Sequence, residues 1–321
     1  MSHWWWGKDS WKSFHYGLED MDIIGDGYFA LGVPDKFDKS FKKMIFAAAK
    51  AHTMHYASID YCLKRYGDAW QFDDNQDKAY KLISEVSASI KGNVIDFLNY
   101  LTSIENKPDK PNLVACTCAM VRLQNTFRAS IITIKSGLHF ESAGLERMIL
   151  EQLAWIYAIH DIDMNESDHF DIKPSKCITR LKDIFPFSGK FYGLLSAVSH
   201  LEPKETLRYL YVKDDSLTME LTSLDYSRVD VFHLLLLADM LMILGEYIYR
   251  DLIKEYRYIA KEENHRFIPK QNRPMAELIR LYEERLFEEK SSKALHLKDN
   301  NGSGSDLRIE FSRRGSSQAR K

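Results

Sequence analysis

The fold is decided by the stretch Gly137–Tyr157, which reads GLHFESAGLERMILEQLAWIY. Its apolar residues recur at steps of three and four, so they share one face of an α-helix. That face consists of Leu145, Ile149, Leu153, Ile156 and Tyr157. Arg147, Glu151 and Trp155 recur at steps of four on another stripe, which brings an ion pair and an aromatic ring into register. A helix with apolar residues around so much of its circumference is expected deep in a helical bundle, with its polar pair partly buried.

The composition of the whole chain favours one main folded unit built from helices. Its 321 residues are 45% hydrophobic, which is ample for a sizeable core. Only 8 Pro and 15 Gly argue against a turn-rich β protein. A formal charge of −2 and an isoelectric point near 6.6 exclude a bulk electrostatic attraction to nucleic acid or to an acidic membrane. Any such binding has to be local.

The cysteines and the most apolar segment indicate a protein of the cytoplasm. Four Cys are too few for a disulfide framework, and Cys116 and Cys118 are expected to be ordinary buried thiols. The run Trp4–Trp6 is too short for the apolar part of a signal peptide. Val231–Tyr249 is the most hydrophobic segment, but it contains acidic side chains that would be costly in a bilayer. We therefore predict a core helix there and no membrane contact.

Periodicity predicts a mainly α protein, a multi-helix bundle preceded by an arm. Residues 1–37 are aromatic-rich and irregular, and we predict an N-terminal arm with only a weak hairpin signal at Gly25-Asp26-Gly27. Residues 38–290 are predicted to form the helical bundle. Its segments are N-terminal helices over 38–106, a core over 112–260 and a last helix over 274–290.

Two other segments depart from the helical pattern. Residues 208–212 and 217–221 alternate on both sides of an Asp-rich turn, which predicts one small β-hairpin inserted between helices. Residues 291–321 contain linker glycines and serines and carry seven Lys or Arg against three acidic residues. This composition predicts a disordered basic tail.

The strongest chemical motif lies at the start of a long helix predicted from Tyr226 to Ala260. There Arg228 and His233 enclose the run Val-Asp-Val-Phe. A guanidinium grips phosphate through paired hydrogen bonds, and imidazole titrates near neutral pH. This Arg-x4-His motif resembles that of HEPN-type ribonucleases. The resemblance implies a metal-independent site at a homodimer face, where Arg228 holds phosphate and His233 assists proton transfer. A capping Arg and a core His are the alternative.

A second motif combines two predicted helices. Arg147 and Glu151 lie one turn apart on the first, and Tyr192, Ser196 and His200 recur at steps of four on the second. The combination resembles an uncharacterised all-helical bacterial family that is often encountered near mobile-element and antiphage genes. The resemblance covers roughly residues 119–249 and implies an architecture but no activity. The matching side chains either line a pocket or form a buried polar network that fixes the helix register.

No cofactor and no metal site is predicted. His52 and His55 have a spacing that can chelate a metal, but no acidic or Cys partner is evident, and two ligands do not make a zinc site. The sequence contains no P-loop, dinucleotide fingerprint, nucleophile elbow or His-Glu-x-x-His motif.

Two hypotheses about function follow from these motifs. The first is a HEPN-like ribonuclease or RNA-binding effector in bacterial defence, with Arg228 and His233 as the catalytic pair and His200 assisting. The second is a non-catalytic interaction module in which Arg147, Glu151 and His200 form a structural network. In either case we expect a homo-oligomer or an operon-encoded protein partner. A solvent-open groove shared by Arg228 and His233 would favour the first hypothesis, and side chains packed inside the bundle would favour the second.

Overall fold

The computed structural model describes residues 18–26, 29–55, 57–67, 74–104, 110–162, 172–200, 202–207, 210–213, 216–219, 224–263 and 266–285. Over these residues the chain is mainly α-helical with small hairpins, so the predicted fold class is confirmed. The chain divides into one unit that ends at Glu277 and a second that begins at Leu278, inside the segment predicted as the last helix. Residues 278–285 of the second unit are helical. The predicted tail at 291–321 and the Trp-rich start of the chain lie outside the described residues.

The described part of the predicted N-terminal arm contains a β-hairpin, at the place where the sequence gives only a weak hairpin signal. A 3₁₀ turn at Leu18–Asp20 leads into strands β1 (Met21–Asp26) and β2 (Phe29–Pro34), which pair in antiparallel register. Buried Ile24 and Val33 form a small core with a helical phenylalanine, Phe46. The alternation is weak in sequence because glycines interrupt it, and contacts with the next helix decide the structure.

Two helices occupy the segment from Asp38 to Tyr66, within the range where the sequence predicts the N-terminal helices. Helix α1 (Lys39–Met54) begins at Asp38, whose side chain accepts a hydrogen bond from the Phe41 amide, and α2 is Ile59–Tyr66. His55 has a left-handed backbone with φ of 57°, and Ser58 caps α2. The apolar period continues across His55, which is why the break is not visible in the pattern. Helix α2 ends at Gly67, whose amide donates to the Leu63 carbonyl.

Three long helices form the centre of the predicted bundle. They are α3 (Asp74–Ser103), α4 (Pro111–Lys135) and α5 (His139–Ile159). Gly137 adopts a φ of 72°, and the Leu138 amide donates to the Thr133 carbonyl at 2.9 Å, which ends α4 and turns the chain into α5. Helices α4 and α5 then pack against each other along their lengths.

The two cysteines of α4 point in different directions. Cys116 is buried, and burial raises the pKa of its thiol to about 12. Cys118 is exposed, so the expectation that both are buried thiols is wrong for this residue. Positions two apart on a helix do not share a face.

Short elements connect α5 to the last long helix. A 3₁₀ turn at Pro174–Cys177 and helix α6 (Ile178–Leu181) precede α7 (Ser188–Ser199), which packs against α5. Helix α8 (Pro203–Thr206) then leads to strands β3 (Leu210–Lys213) and β4 (Ser216–Met219). These strands form an antiparallel hairpin, so the predicted insertion is confirmed.

Helix α9 (Leu224–Ile248) is the core of the bundle and packs against α3, α4 and α5. Within the described part of the chain, its residues Tyr226–Ile248 are the one stretch long and apolar enough to cross a membrane, but 83% of the most apolar window is buried. This burial is that of a core helix, as predicted. The chain leaves the helix at Ile248, so the predicted continuation to Ala260 is wrong. Strands β5 (Ile259–Lys261) and β6 (Phe267–Pro269) pair instead.

Candidate functional site

A cluster of polar side chains lies where α7 packs on α5. Arg147 Nη1 lies 2.6 Å from His200 Nε2 and donates to Ser199 Oγ at 3.1 Å. Arg147 Nε lies 3.5 Å from Glu151 Oε1, an ion pair one helical turn apart. The Arg147 and Glu151 side chains are 23% and 21% exposed, so the pair is partly buried, as the sequence predicts. We call these residues the α5–α7 cluster.

The α5–α7 cluster is open to solvent at the end of α7. His200 follows the last residue of α7 and is exposed, and its amide donates to the Ser196 carbonyl at 3.0 Å. Ser196 therefore supports the cluster through its backbone. Tyr192, one turn from Ser196, donates its hydroxyl to Glu151 Oε1 at 3.0 Å. Because a guanidinium only donates hydrogen bonds, the nitrogen of His200 that faces Arg147 carries a lone pair.

A second cluster lies inside the bundle between α5 and α9. His233 Nδ1 lies 3.1 Å from Glu146 Oε2, and Ser142 Oγ donates to Glu146 Oε1 at 2.9 Å. His139 Nδ1 lies 2.6 Å from Asp230 Oδ1. Glu146 is fully buried, Asp230 is 1% exposed, and both histidines are 9% exposed. We call this group the α5–α9 cluster.

Burial sets the protonation of the α5–α9 cluster. Removal from water lowers the pKa of His233 to about 4, so its imidazole is neutral at pH 7. Burial also raises the pKa of Glu146 well above its ordinary value, and the nearby Asp230 carboxylate adds to this effect. The pKa of Asp230 is raised by burial as well, although the hydrogen bond from His139 opposes the shift.

The structure places His200 and His233, two residues that the sequence predicts as catalytic, in different clusters. Arg147, Glu151 and His200 meet in the α5–α7 cluster, whereas His233 contacts Glu146 and packs edge-on against the Phe191 ring at 5.2 Å. A His that is nine-tenths buried cannot reach a phosphodiester without rearrangement of the helices around it. The location of His233 is therefore the one that the interaction-module hypothesis expects. Arg228 lies partly buried on the first turns of α9.

Sequence reasoning missed the acidic members of the α5–α9 cluster. Asp230 and His233 are three apart and lie on one face of α9, and His139 and Glu146 are two turns apart on α5. The Asp-x-x-His spacing was a usable signal. It was obscured by the Arg-x4-His pattern, which overlaps it but joins positions on different faces of the helix.

Comparison with known proteins adds no relative from which a role can be transferred. No family model matches this chain, and no curated protein or solved structure matches it either. The function has to be argued from the two clusters.

Proposed function

We propose that the protein is a metal-independent ribonuclease or RNA-binding effector of bacterial defence whose site is the α5–α7 cluster. The observation that carries this proposal is that one guanidinium, that of Arg147, touches both an exposed imidazole and a carboxylate. A cytoplasmic location and a homo-oligomeric state belong to the same proposal. Proton transfer is assigned to His200 and not to His233, because only His200 is exposed.

The chemistry needs two proton-transfer groups and one cation. The RNA 2′-oxygen attacks the adjacent phosphorus and the bond to the 5′-oxygen breaks, which leaves a 2′,3′-cyclic phosphate. Glu151 takes the proton of the 2′-hydroxyl. His200 takes up a proton from solvent on the nitrogen that Arg147 vacates when it turns to the phosphate, and donates that proton to the departing 5′-oxygen. Arg147 stabilises the negative charge that develops on the phosphoryl oxygens. Tyr192 positions Glu151 through its hydrogen bond.

A cleavage assay in chelator tests this assignment. The full chain is incubated with single-stranded RNA in excess EDTA, and the products are examined for cyclic phosphate ends. We expect His200→Ala and Glu151→Gln each to lower the rate about 10²–10⁴-fold, the usual contribution of a proton-transfer group. His160→Gln, which changes a histidine outside the cluster, is the matched control and should keep the rate of the original protein.

Two results would contradict the ribonuclease. One is the absence of cleavage by the unchanged protein across RNAs of varied sequence. The other is cleavage that persists at the same rate in both cluster variants, since the activity would then lie elsewhere. His233→Gln should affect cleavage only to the extent that it lowers the folded fraction.

A second candidate is the non-catalytic interaction module, favoured by a specific observation. Arg147 is held from three sides by Glu151, Ser199 and His200, as expected for a residue that fixes α7 on α5. In that case Arg147→Ala should lower the free energy of unfolding by about 1–3 kcal/mol, because these contacts are only partly desolvated, while the unchanged protein cleaves no RNA. Denaturant unfolding combined with the cleavage assay separates the two candidates.

A further inference from the structure

The α5–α9 cluster contains buried metal-ligating side chains that the proposed ribonuclease chemistry does not use. We propose that Glu146, Asp230 and His233 bind a divalent first-row cation of the Zn²⁺ type, which joins α5 to α9. Each residue places one potential ligand atom within 4.8 Å of those of the other two. All three are buried, so the cation would stabilise the bundle without contacting a substrate.

The spacing of these atoms is close to what a tetrahedral ion needs. Zinc bonds to nitrogen and oxygen of about 2.0–2.2 Å place neighbouring ligand atoms about 3.4 Å apart. His233 Nδ1 and Glu146 Oε2 are already 3.1 Å apart. The Asp230 ligand atom lies within 4.8 Å of the other two, so a small closure brings the three atoms to the spacing of a bound ion.

An unsatisfied carboxylate oxygen points independently to a ligand. Asp230 Oδ1 is bound by His139, but Oδ2 is buried and has no hydrogen-bond partner within the described ranges. A buried oxygen without a donor is costly, and a bound ion is one of the few ways to satisfy it. Glu146 is arranged in the same manner, since its Oε1 accepts a hydrogen bond from Ser142 and its Oε2 faces His233. His139 and Ser142 therefore act as the outer groups that orient metal ligands.

The donor set and its charge select the kind of cation. Two carboxylates and one imidazole suit zinc, iron or manganese, whereas magnesium and calcium prefer oxygen ligands alone. Two carboxylates in a dry interior are expensive unless a positive charge lies between them. A divalent ion balances both and becomes the largest local charge in the site.

Metal titration of the full chain tests the proposal. The chain carries His52→Gln and His55→Gln, which remove an exposed histidine pair at the C-terminal end of α1 whose rings are 6.1 Å apart, so that weak surface binding of zinc does not enter the titration. The protein is treated with chelator, dialysed and titrated with ZnCl₂ while thermal unfolding is followed. We expect one equivalent to bind and the midpoint of unfolding to rise with free zinc, as for any ligand specific to the native state. CoCl₂ should give the visible absorption of a low-coordinate cobalt site.

Variants of the outer groups keep the test independent of folding. His139→Gln retains all three ligands and should weaken zinc binding about 10–100-fold. His160→Gln, at the other end of α5, should leave zinc binding unchanged. Asp230→Asn and His233→Gln should abolish both the zinc-dependent rise and the cobalt absorption.

Either of two outcomes would overturn the metal site. The first is the absence of stoichiometric zinc binding by the protein with intact α5–α9 residues. The second is binding that His139→Gln and Asp230→Asn leave unaffected. Neither bears on the ribonuclease, because cleavage is assayed in chelator and depends on the α5–α7 cluster.

Discussion

At the scale of single residues, Glu246 holds the chain segment that follows α9. Its side chain is fully buried, and its oxygens accept three backbone hydrogen bonds, from Arg257 at 2.6 Å, Tyr258 at 2.6 Å and Ile259 at 2.9 Å. The carboxylate therefore supplies the acceptors for a chain segment that has left the helix and is entering β5. Hydrogen bonds to a charged group are among the stronger ones in proteins.

Removal of this carboxylate should be severely destabilising. Glu246→Ala leaves three amides without an acceptor, two of them in the buried residues Tyr258 and Ile259, and we expect the free energy of unfolding to fall by about 3–5 kcal/mol. Urea denaturation measures the loss, with Glu141→Ala as a matched change of an exposed helical glutamate that should stay within about 0.5 kcal/mol. A similar small effect in both variants would show that the turn after α9 does not depend on Glu246.

His160 makes a second prediction at the residue scale, on the pH dependence of stability. Its side chain is 7% exposed, Nδ1 donates to the Tyr157 carbonyl at 2.6 Å, and its ring stacks on that of Tyr157. Burial lowers the pKa of His160 below its ordinary value of 6.5, despite that hydrogen bond. Below about pH 6.5 the unfolded chain takes up a proton that the native state resists, so stability falls as the pH decreases.

The comparison between the original protein and His160→Gln isolates the contribution of His160 to the pH dependence of stability. Between pH 7.5 and pH 5.5, the original protein should lose more of its free energy of unfolding than the variant does. Urea denaturation at each pH gives, for each protein, the slope of the free energy of unfolding against pH. Parallel slopes would mean that His160 is protonated as readily in the folded protein as in the unfolded one.

At the scale of elements, the packing of α3 on α9 depends on a glycine. A Cβ atom at Gly245 would lie 2.6 Å from Phe97 Cζ and 3.0 Å from Leu101 Cδ1. Phe97 and Leu101 are both buried, so neither can easily move away. The absence of a side chain at Gly245 allows the two helices to approach closely.

Two alanine substitutions should therefore have opposite effects. Gly245→Ala overpacks this contact and should cost about 1–3 kcal/mol of stability. Gly92→Ala is the control on α3, where a Cβ would meet nothing within 4 Å, and it should stabilise by about 0.5–1 kcal/mol through helix propensity. Thermal or urea unfolding of both variants is sufficient. A stabilised Gly245→Ala would show that the helices are farther apart than described.

The success of sequence reasoning also differs from element to element. The long helices and the β3–β4 hairpin were predictable, because each has a clear local period and a clear stop such as Gly137. The break at His55 and the end of α9 were not, since the apolar pattern continues through both. The first coincides with a left-handed residue, and the chain after the second is held by Glu246, whose partners lie beyond the helix. The α5–α7 cluster was predictable from spacing, whereas the α5–α9 cluster depends on which helices become neighbours.

At the scale of the whole first unit, charged residues attach the N-terminal hairpin to the bundle. Glu19 is 4% exposed and accepts hydrogen bonds from Arg128 of α4 at 2.6 and 3.3 Å. Lys91 of α3 lies 3.1 Å from Glu19 and 2.6 Å from Asp20, and Lys42 of α1 lies 2.6 Å from Asp22. Three helices thus contribute cations to one short acidic run, which we call the acidic turn.

Neutralisation of Glu19 should loosen this attachment. Burial alone would raise the pKa of Glu19, but its contacts with Arg128 and Lys91 outweigh burial and hold the pKa below 4.5. The carboxylate therefore contributes stability above about pH 4.5, and this contribution disappears as the pH falls through its folded pKa. Glu19→Gln leaves partly buried cations without their partner and should cost about 2–4 kcal/mol at pH 7, with a smaller difference from the original protein at pH 3.5.

Glu284→Gln is the control. It removes an exposed carboxylate paired with Arg280 and should change stability by less than about 1 kcal/mol. In limited proteolysis at pH 7, Glu19→Gln should be cut within residues 18–34 faster than either the control or the original protein. Equal rates in all three would show that the hairpin is held by the apolar contacts of Ile24 and Val33 alone.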